Sequence, residues 1–300
     1  MDKLNIQLSS LFHEQVSNWG LARANYEGLK TVKTKTFLFE NFKVIVQFNP
    51  ARIASSGAKV DAKTIAERKC FLCTANLPAG QKSIDSGNYT ILVNPFPIFP
   101  QHFTIPRKEH IDQQIKPYFA EMLELAEALD EYVVFYNGPR CGASAPDHMH
   151  FQAGTKDFLP IISDYKKMKP DHATLIDEGE NYQLYKLNDY FRTVYCIESD
   201  TIGSARNIFE NLYAKWQDQS KEKGNEPMMN IVCSFEDNIW YTYIFPRKAF
   251  RPWQYTAEGD DRLMVSPATV ELSGIFITPI ESHFERITKP DVINILEQCS

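Results

Sequence analysis

Hydrophobic positions along this chain switch between two periods. Over residues 1–30, Leu4, Leu8, Leu11, Phe12, Val16 and Trp19 fall at spacings close to the helical repeat, which predicts helix. Over 36–48, Phe37, Phe39, Phe42, Val44, Val46 and Phe48 come close to strict alternation, which predicts a strand pair or one interrupted strand. The stretch 49–60 that follows is a loop of small residues with two cations, Arg52 and Lys59. Residues 89–94 and 102–105 read as strands, stopped by Pro95 and Pro106, because proline has no N–H for a ladder. The clearest helix is 117–130, with Pro117 in its first turn and a stripe of Phe119, Met122, Leu123, Ala126 and Leu129. Strands at 132–136 and 148–153 flank a loop at 137–147.

This order of strand, strand, helix, strand, loop and strand predicts an α+β domain with a mostly antiparallel sheet and flanking helices. The second half has similar ingredients: a helix at 204–217, strands at 229–235, 239–245 and 271–277, and a capping helix at 290–298. Phe245-Pro246-Arg247-Lys248 also echoes Ile105-Pro106-Arg107-Lys108. Together these suggest two related half-domains, 1–160 and 161–300, the second a degenerate copy.

Composition narrows the picture by exclusion. A net charge of -6 argues against a general nucleic-acid-coating surface, though a local pocket on an acidic protein can still be positive. The opening residues 1–20 carry charges and amides throughout, without the apolar core of a secretory signal. No apolar run approaches the roughly 18–20 residues that cross a bilayer. Six cysteines spread over 300 residues suit a reducing compartment, so the expected setting is cytoplasmic, without a membrane or nucleic-acid partner.

The chemistry concentrates in His148-Met149-His150-Phe151-Gln152. On a strand, alternate residues share a face, so the three polar side chains address one site while Met149 and Phe151 pack behind. A buried polar group left unpaired costs about 1–3 kcal/mol, so a ligand, metal or proton relay is expected there. The preceding loop offers small residues, among them Gly142 and Ser144, whose N–H and hydroxyl groups can approach phosphates, with Asn137 at its base. Cys70 and Cys73 stand two residues apart, a spacing that chelates zinc from a tight turn. With no second such pair, His102, His110, His148 and His150 are the histidines that can complete the set. Arg52 and Lys59 are candidates to neutralise a di- or polyphosphate, with Arg107, Lys108 and Arg140 behind them.

The Cys-x-x-Cys pair, Asn94-Pro95-Phe96-Pro97, the strand ending in Pro106-Arg107-Lys108-Glu109-His110, the helix, the loop and His-x-His-x-Gln occur in an order that resembles the histidine-triad superfamily. Within it they resemble the transferase branch of galactose-1-phosphate uridylyltransferase, diadenosine tetraphosphate phosphorylase and GDP-galactose phosphorylase. The resemblance covers roughly residues 45–155. It implies a HIT-like fold, zinc on Cys70, Cys73, His110 and His148, His150 as nucleophile, and Gln152 as a donor to a phosphate oxygen. It also implies a nucleotidyltransferase or phosphorylase that moves a nucleotide from an NDP-sugar or dinucleoside polyphosphate to phosphate or a sugar phosphate. Met149 departs from the proline that uridylyltransferases carry between the two histidines. Rival readings are a hydrolase with the same intermediate and a catalytically silent, zinc-stabilised nucleotide-binding protein. The site is complete within one chain or formed across a homodimer; the residues leave that open.

Overall fold

The computed structural model describes residues 3–57, 60–220 and 224–300. The apolar stripe of the first 30 residues folds as two helices, Lys3–Asn18 and Gly20–Leu29, with Trp19 in extended backbone between them. Strands β1 (Lys33–Leu38) and β2 (Lys43–Phe48) form a hairpin, and β2 pairs in parallel with β13 (Ile275–Thr278). The remaining strands build one ten-stranded sheet: β3 (Ser83–Ser86), β4 (Tyr89–Val93), β5 (His102–Pro106), β6 (Tyr132–Asn137), β7 (His150–Thr155), β8 (Ala173–Gly179), β9 (Tyr182–Leu187), β10 (Tyr195–Ser199), β11 (Met229–Glu236) and β12 (Ile239–Pro246). All its pairings are antiparallel, so the fold is α+β with a large antiparallel sheet flanked by helices.

The strand order, β3-β4-β5-β7-β6-β11-β12-β10-β9-β8, repeats a topology. Read inward from either edge, three antiparallel strands come first, followed by the last strand of the half and then its fourth. Helix Phe119–Ala128 links β5 to β6, and helix Ile202–Gln219 links β10 to β11 in the same place. The halves meet where β6 pairs with β11, with Asn137 opposite Asn230. The echoed Pro-Arg-Lys segments do not correspond in this repeat. Pro106 ends β5, whereas Pro246 ends β12, the counterpart of β7.

One apolar cluster lies on each face of the sheet. The first joins Leu8, Phe119, Met122 and Phe209 from three helices to Met149, Phe151 and Ala153. The second joins Phe99, Phe135, Val232 and Tyr243 to Ile161 and Tyr165 of helix Pro160–His172, Ile295 of helix Lys289–Cys299, and the small sheet. Because side chains alternate along β7, His150 and Gln152 emerge on the second face. The corresponding face of β12 carries Tyr241, Tyr243 and Phe245, packed as core.

Two expected strands change at their ends. His148 lies ahead of β7, which begins at His150. The 271–277 strand is shorter and opens with a helical turn, Thr269–Leu272. Glu271 folds its carboxylate back onto the Ala268 N–H (2.9 Å), and Gly274, at φ +107°, turns the chain into β13.

Candidate active site

β7 opens into a cavity of about 460 Å³. Its walls include His150, Gln152, Asn137, Gly142, Ser144 and Arg52, six of the seven residues expected at the catalytic and phosphate positions. The seventh, Lys59, lies outside the described residues.

His150 is held at three points. Its backbone N–H donates to Gln113 Oε1 (2.8 Å), and its carbonyl accepts from Gln113 Nε2 (3.0 Å). Its ring Nδ1 lies 2.8 Å from the carbonyl oxygen of His148. A carbonyl can only accept, so Nδ1 carries the hydrogen and Nε2 keeps its lone pair. Burial pushes the His150 pKa down to about 4, which leaves the ring neutral near pH 7. Gln113 also donates to the Asn137 carbonyl (3.0 Å), tying the ends of β6 and β7 together. A lone glutamine in an irregular segment gave no sequence signal for this role.

The loop after β6 is fixed largely from the second half of the chain. Asn137 Oδ1 accepts from Asn230 Nδ2 (2.9 Å), the Thr269 N–H (3.0 Å) and Thr269 Oγ1 (2.7 Å). Asn230 Nδ2 also donates to the Cys141 carbonyl at 2.7 Å, and Asn230 Oδ1 accepts from Arg247 Nη1 at 2.7 Å. Arg247, at the end of β12, thus helps to hold the loop through Asn230. Gly142 has φ +98°, and a Cβ there would lie 2.4 Å from Ala268 Cβ, so only glycine lets the loop approach this close.

Charge in the cavity wall comes from both signs. Arg52 donates to the Phe96 carbonyl (2.7 Å); burial pulls its pKa down to about 10, against the opposing effect of Glu271, so it stays cationic near neutrality. Glu271 is itself buried, which raises its pKa. Arg68, next to the cysteine pair, also lines the cavity, pairs with Asp147 and lies 5.1 Å from the centre of the Phe71 ring. Its adjacency to Cys70 was the only sequence hint. Arg107 pairs instead with Glu121 (2.8 Å) and Lys108 with Asp85 (2.7 Å), and neither lines the cavity.

Beside the cavity, Cys70, Cys73, His110 and His148 converge, with their ligand atoms all within 4.8 Å of one another. Cys70 Sγ is 3.3 Å from His148 Nδ1, and Cys73 Sγ is 3.1 Å from His110 Nδ1. Ligands on a tetrahedral zinc are separated by about 3.5 Å, so these spacings fit a metal site. His148 Nε2 donates to the Arg107 carbonyl (2.7 Å), which leaves the Nδ1 lone pair facing the sulfurs. Asn76 donates to the Cys70 carbonyl (2.8 Å) and shapes the turn. His102, the other histidine considered for this set, is elsewhere: it lines the cavity and contacts Gln152.

A family model described as a domain of unknown function (DUF4922) matches residues 11–155. Galactose-1-phosphate uridylyltransferase of Bacillus subtilis (strain 168) is 24% identical over 181 residues, covering 51% of this chain; the match spans only 32% of that protein. Among solved structures, yeast Ap4A phosphorylase matches with a TM-score of 0.59 and 18% identity, covering 100% of this chain and 94% of the other. The same enzyme in complex with Ap4A matches with a TM-score of 0.56 and 18% identity over 97% and 96% of the two chains. The fold of this chain is that of the Ap4A phosphorylase structures, which agrees with the histidine-triad transferase resemblance carried by its motifs.

Proposed function

We propose that this chain is a nucleotidyltransferase that takes a nucleoside monophosphate from an NDP-sugar or dinucleoside polyphosphate and passes it to phosphate or a sugar phosphate. One observation carries the reading: His150 Nδ1 is committed to a carbonyl at 2.8 Å, in a ring that lines a cavity with Gln152 and Arg52. The similarity to an Ap4A phosphorylase and a uridylyltransferase supports the substrate class.

In the first half-reaction the Nε2 lone pair attacks the α-phosphorus. A P–N bond forms as the P–O bond to the leaving group breaks, and the leaving group departs with that electron pair. The ring becomes cationic, and the His148 carbonyl, already on Nδ1–H, stabilises that charge. The Gln152 amide donates to a non-bridging oxygen, and Arg52 offsets the charge of the phosphates. In the second half-reaction an acceptor oxygen attacks the same phosphorus and the P–N bond breaks, returning neutral His150. Cys70, Cys73, His110 and His148 would hold zinc; when bound, it supplies a rigid tie between the 70–73 turn and the residue whose carbonyl orients His150.

Intact-mass measurement after incubation with a panel of NDP-sugars and dinucleoside polyphosphates tests this. The expected result is a nucleoside monophosphate adduct on the native chain, absent in His150→Ala and discharged by phosphate or a sugar phosphate. No adduct across the panel refutes the covalent reading, and discharge by water as fast as by any acceptor turns it into a hydrolase.

A further inference from the structure

We propose that His102 is a positioning residue that fixes the amide of Gln152, so that its NH2 group, rather than its oxygen, faces the bound phosphate. The proposal deepens the transferase reading and rests on it for the identity of the phosphate.

The logic is a chain of forced donor and acceptor roles. The backbone N–H of Ile98 donates to His102 Nδ1 at 3.2 Å. An N–H can only donate, so Nδ1 holds a lone pair, and a neutral ring then carries its hydrogen on Nε2. Neutrality is secured by burial: the ring is 1% exposed, and with Arg52 nearby its pKa falls to about 3. Nε2 lies 3.0 Å from the Gln152 side chain. A ring N–H must meet an acceptor, so the amide oxygen faces His102 whichever way the amide is drawn. The NH2 group is left for the cavity. Without this tether the amide can flip and turn its oxygen toward an anionic phosphate, converting a stabilising contact into a repulsive one.

The surrounding residues hold His102 in place. Its ring packs against Phe99 (centroids 5.1 Å apart) and Phe135 (5.9 Å), which also touch each other (5.5 Å). Its backbone is gripped by Tyr26, whose hydroxyl donates to the His102 carbonyl (3.1 Å) and accepts its N–H (3.3 Å). The Asn94-Pro95-Phe96-Pro97 segment delivers the Ile98 N–H, and Asn94 Oδ1 in turn accepts from the Phe96 N–H (2.9 Å). The proline-rich motif thus sets a tautomer two bonds away from the phosphate.

Two measurements on the full chain test the tether. Histidine-selective 15N NMR on the native protein, assigned through the Phe99 and Phe135 rings, is expected to show His102 Nδ1 as the unprotonated nitrogen and Nε2 as protonated. A proton on Nδ1, or averaging of the two forms, overturns the proposal without reference to activity. Second, His102→Phe is expected to slow adduct formation by about 10–100-fold, less than the loss of a whole oxyanion donor. The same substitution in a Gln152→Ala background is expected to change the rate by less than about threefold, because there is no amide left to orient. Equal fold-losses in both backgrounds, or no loss in either, assign His102 a merely structural role and refute the proposal. Absence of any adduct on the native chain refutes the transferase reading instead, and the NMR result then decides the tether alone.

Discussion

Replacing Arg247 with methionine is expected to loosen the seam between the two halves of the chain. Arg247 is 8% exposed, and its guanidinium uses all its directions. Nε donates to the Cys299 carbonyl (2.8 Å), Nη1 to Asn230 Oδ1 (2.7 Å) and the Pro267 carbonyl (2.9 Å), and Nη2 to the carbonyls of Ala249 (2.8 Å) and Phe250 (3.0 Å). Methionine fills much of the volume but leaves four of the five acceptors without a donor, since the Cys299 carbonyl keeps the Lys248 N–H (3.1 Å). Each unsatisfied buried acceptor costs about 1–3 kcal/mol, but the four share one relaxation, and removing the charge recovers its desolvation penalty. The net loss is therefore expected at about 3–5 kcal/mol, equivalent to two or three unsatisfied acceptors. Over 300 residues that lowers Tm by roughly 5–8 °C, from a specific unfolding entropy of about 2 cal/mol/K per residue. Urea unfolding and calorimetry measure it, and Arg247→Lys, which keeps the charge with fewer donors, is expected between the two. A loss below about 1 kcal/mol for Arg247→Met refutes the claim that this network holds the seam.

Three further outcomes are expected. Cys73→Ser lowers bound zinc from about one ion per chain and costs several kcal/mol, read by elemental analysis and thermal unfolding; native protein purified without chelator and free of zinc removes the metal assignment. Gly142→Ala forces a Cβ to 2.4 Å from Ala268 Cβ at φ +98°, so a loss of about 2–4 kcal/mol and slower transfer are expected, and an unchanged Tm contradicts the packing. Burial raises Glu226 from 4.5 to about 7, while its carboxylate accepts from Tyr136 Oη (2.6 Å) and the Ile115 N–H (2.6 Å). Between those values the folded chain holds a proton that the unfolded chain has lost, so stability falls as pH rises from about 4.5 to 7, by up to about 3 kcal/mol. Glu226→Gln is expected to flatten that slope in pH-dependent urea unfolding; an equal slope in both proteins rules Glu226 out as its source.

The sequence disclosed the site more fully than the sheet that carries it. Short-range spacing foretold that His150 and Gln152 share one face and that the cysteine pair converges in a turn, because alternation on a strand and a two-residue gap in a turn are local constraints. Strands β8 and β9 escaped notice because β8 is largely exposed and β9 only partly buried, so their apolar residues lack a one-sided pattern. Helix Pro160–His172 was hidden by Pro170, which reads as a breaker but sits in its last turn. His148 was expected on the strand with His150, whereas the chain reaches β7 only after it. That offset is chemically useful: an extended i, i+2 pair would have faced one cavity, and the break lets His148 turn toward the cysteines. Gln113, Asn230 and Thr269 were invisible because their roles depend on contacts across 24 to 132 positions of sequence.

His148 links the cysteine cluster to the cavity, and Asn137 links the cavity to the second half of the chain. The His148 side chain belongs to the cysteine cluster, while its carbonyl orients the His150 ring, so the geometry of the first is transmitted to the second through one residue. Asn137, at the end of β6, has its side-chain oxygen filled entirely by Asn230 and Thr269 from the second half. The repeated topology sets those groups at the seam, since antiparallel pairing of β6 with β11 puts Asn230 directly opposite Asn137. The second half has tyrosines and phenylalanine where the first has histidine and glutamine, yet its fourth strand, β11, and the Arg247 network close the loop of the first. It thus supports the cavity: with the second half removed, the oxygen of Asn137 and the carbonyl of Cys141 lose their donors, and the loop after β6 is left to its contacts with Gln113 and Arg68.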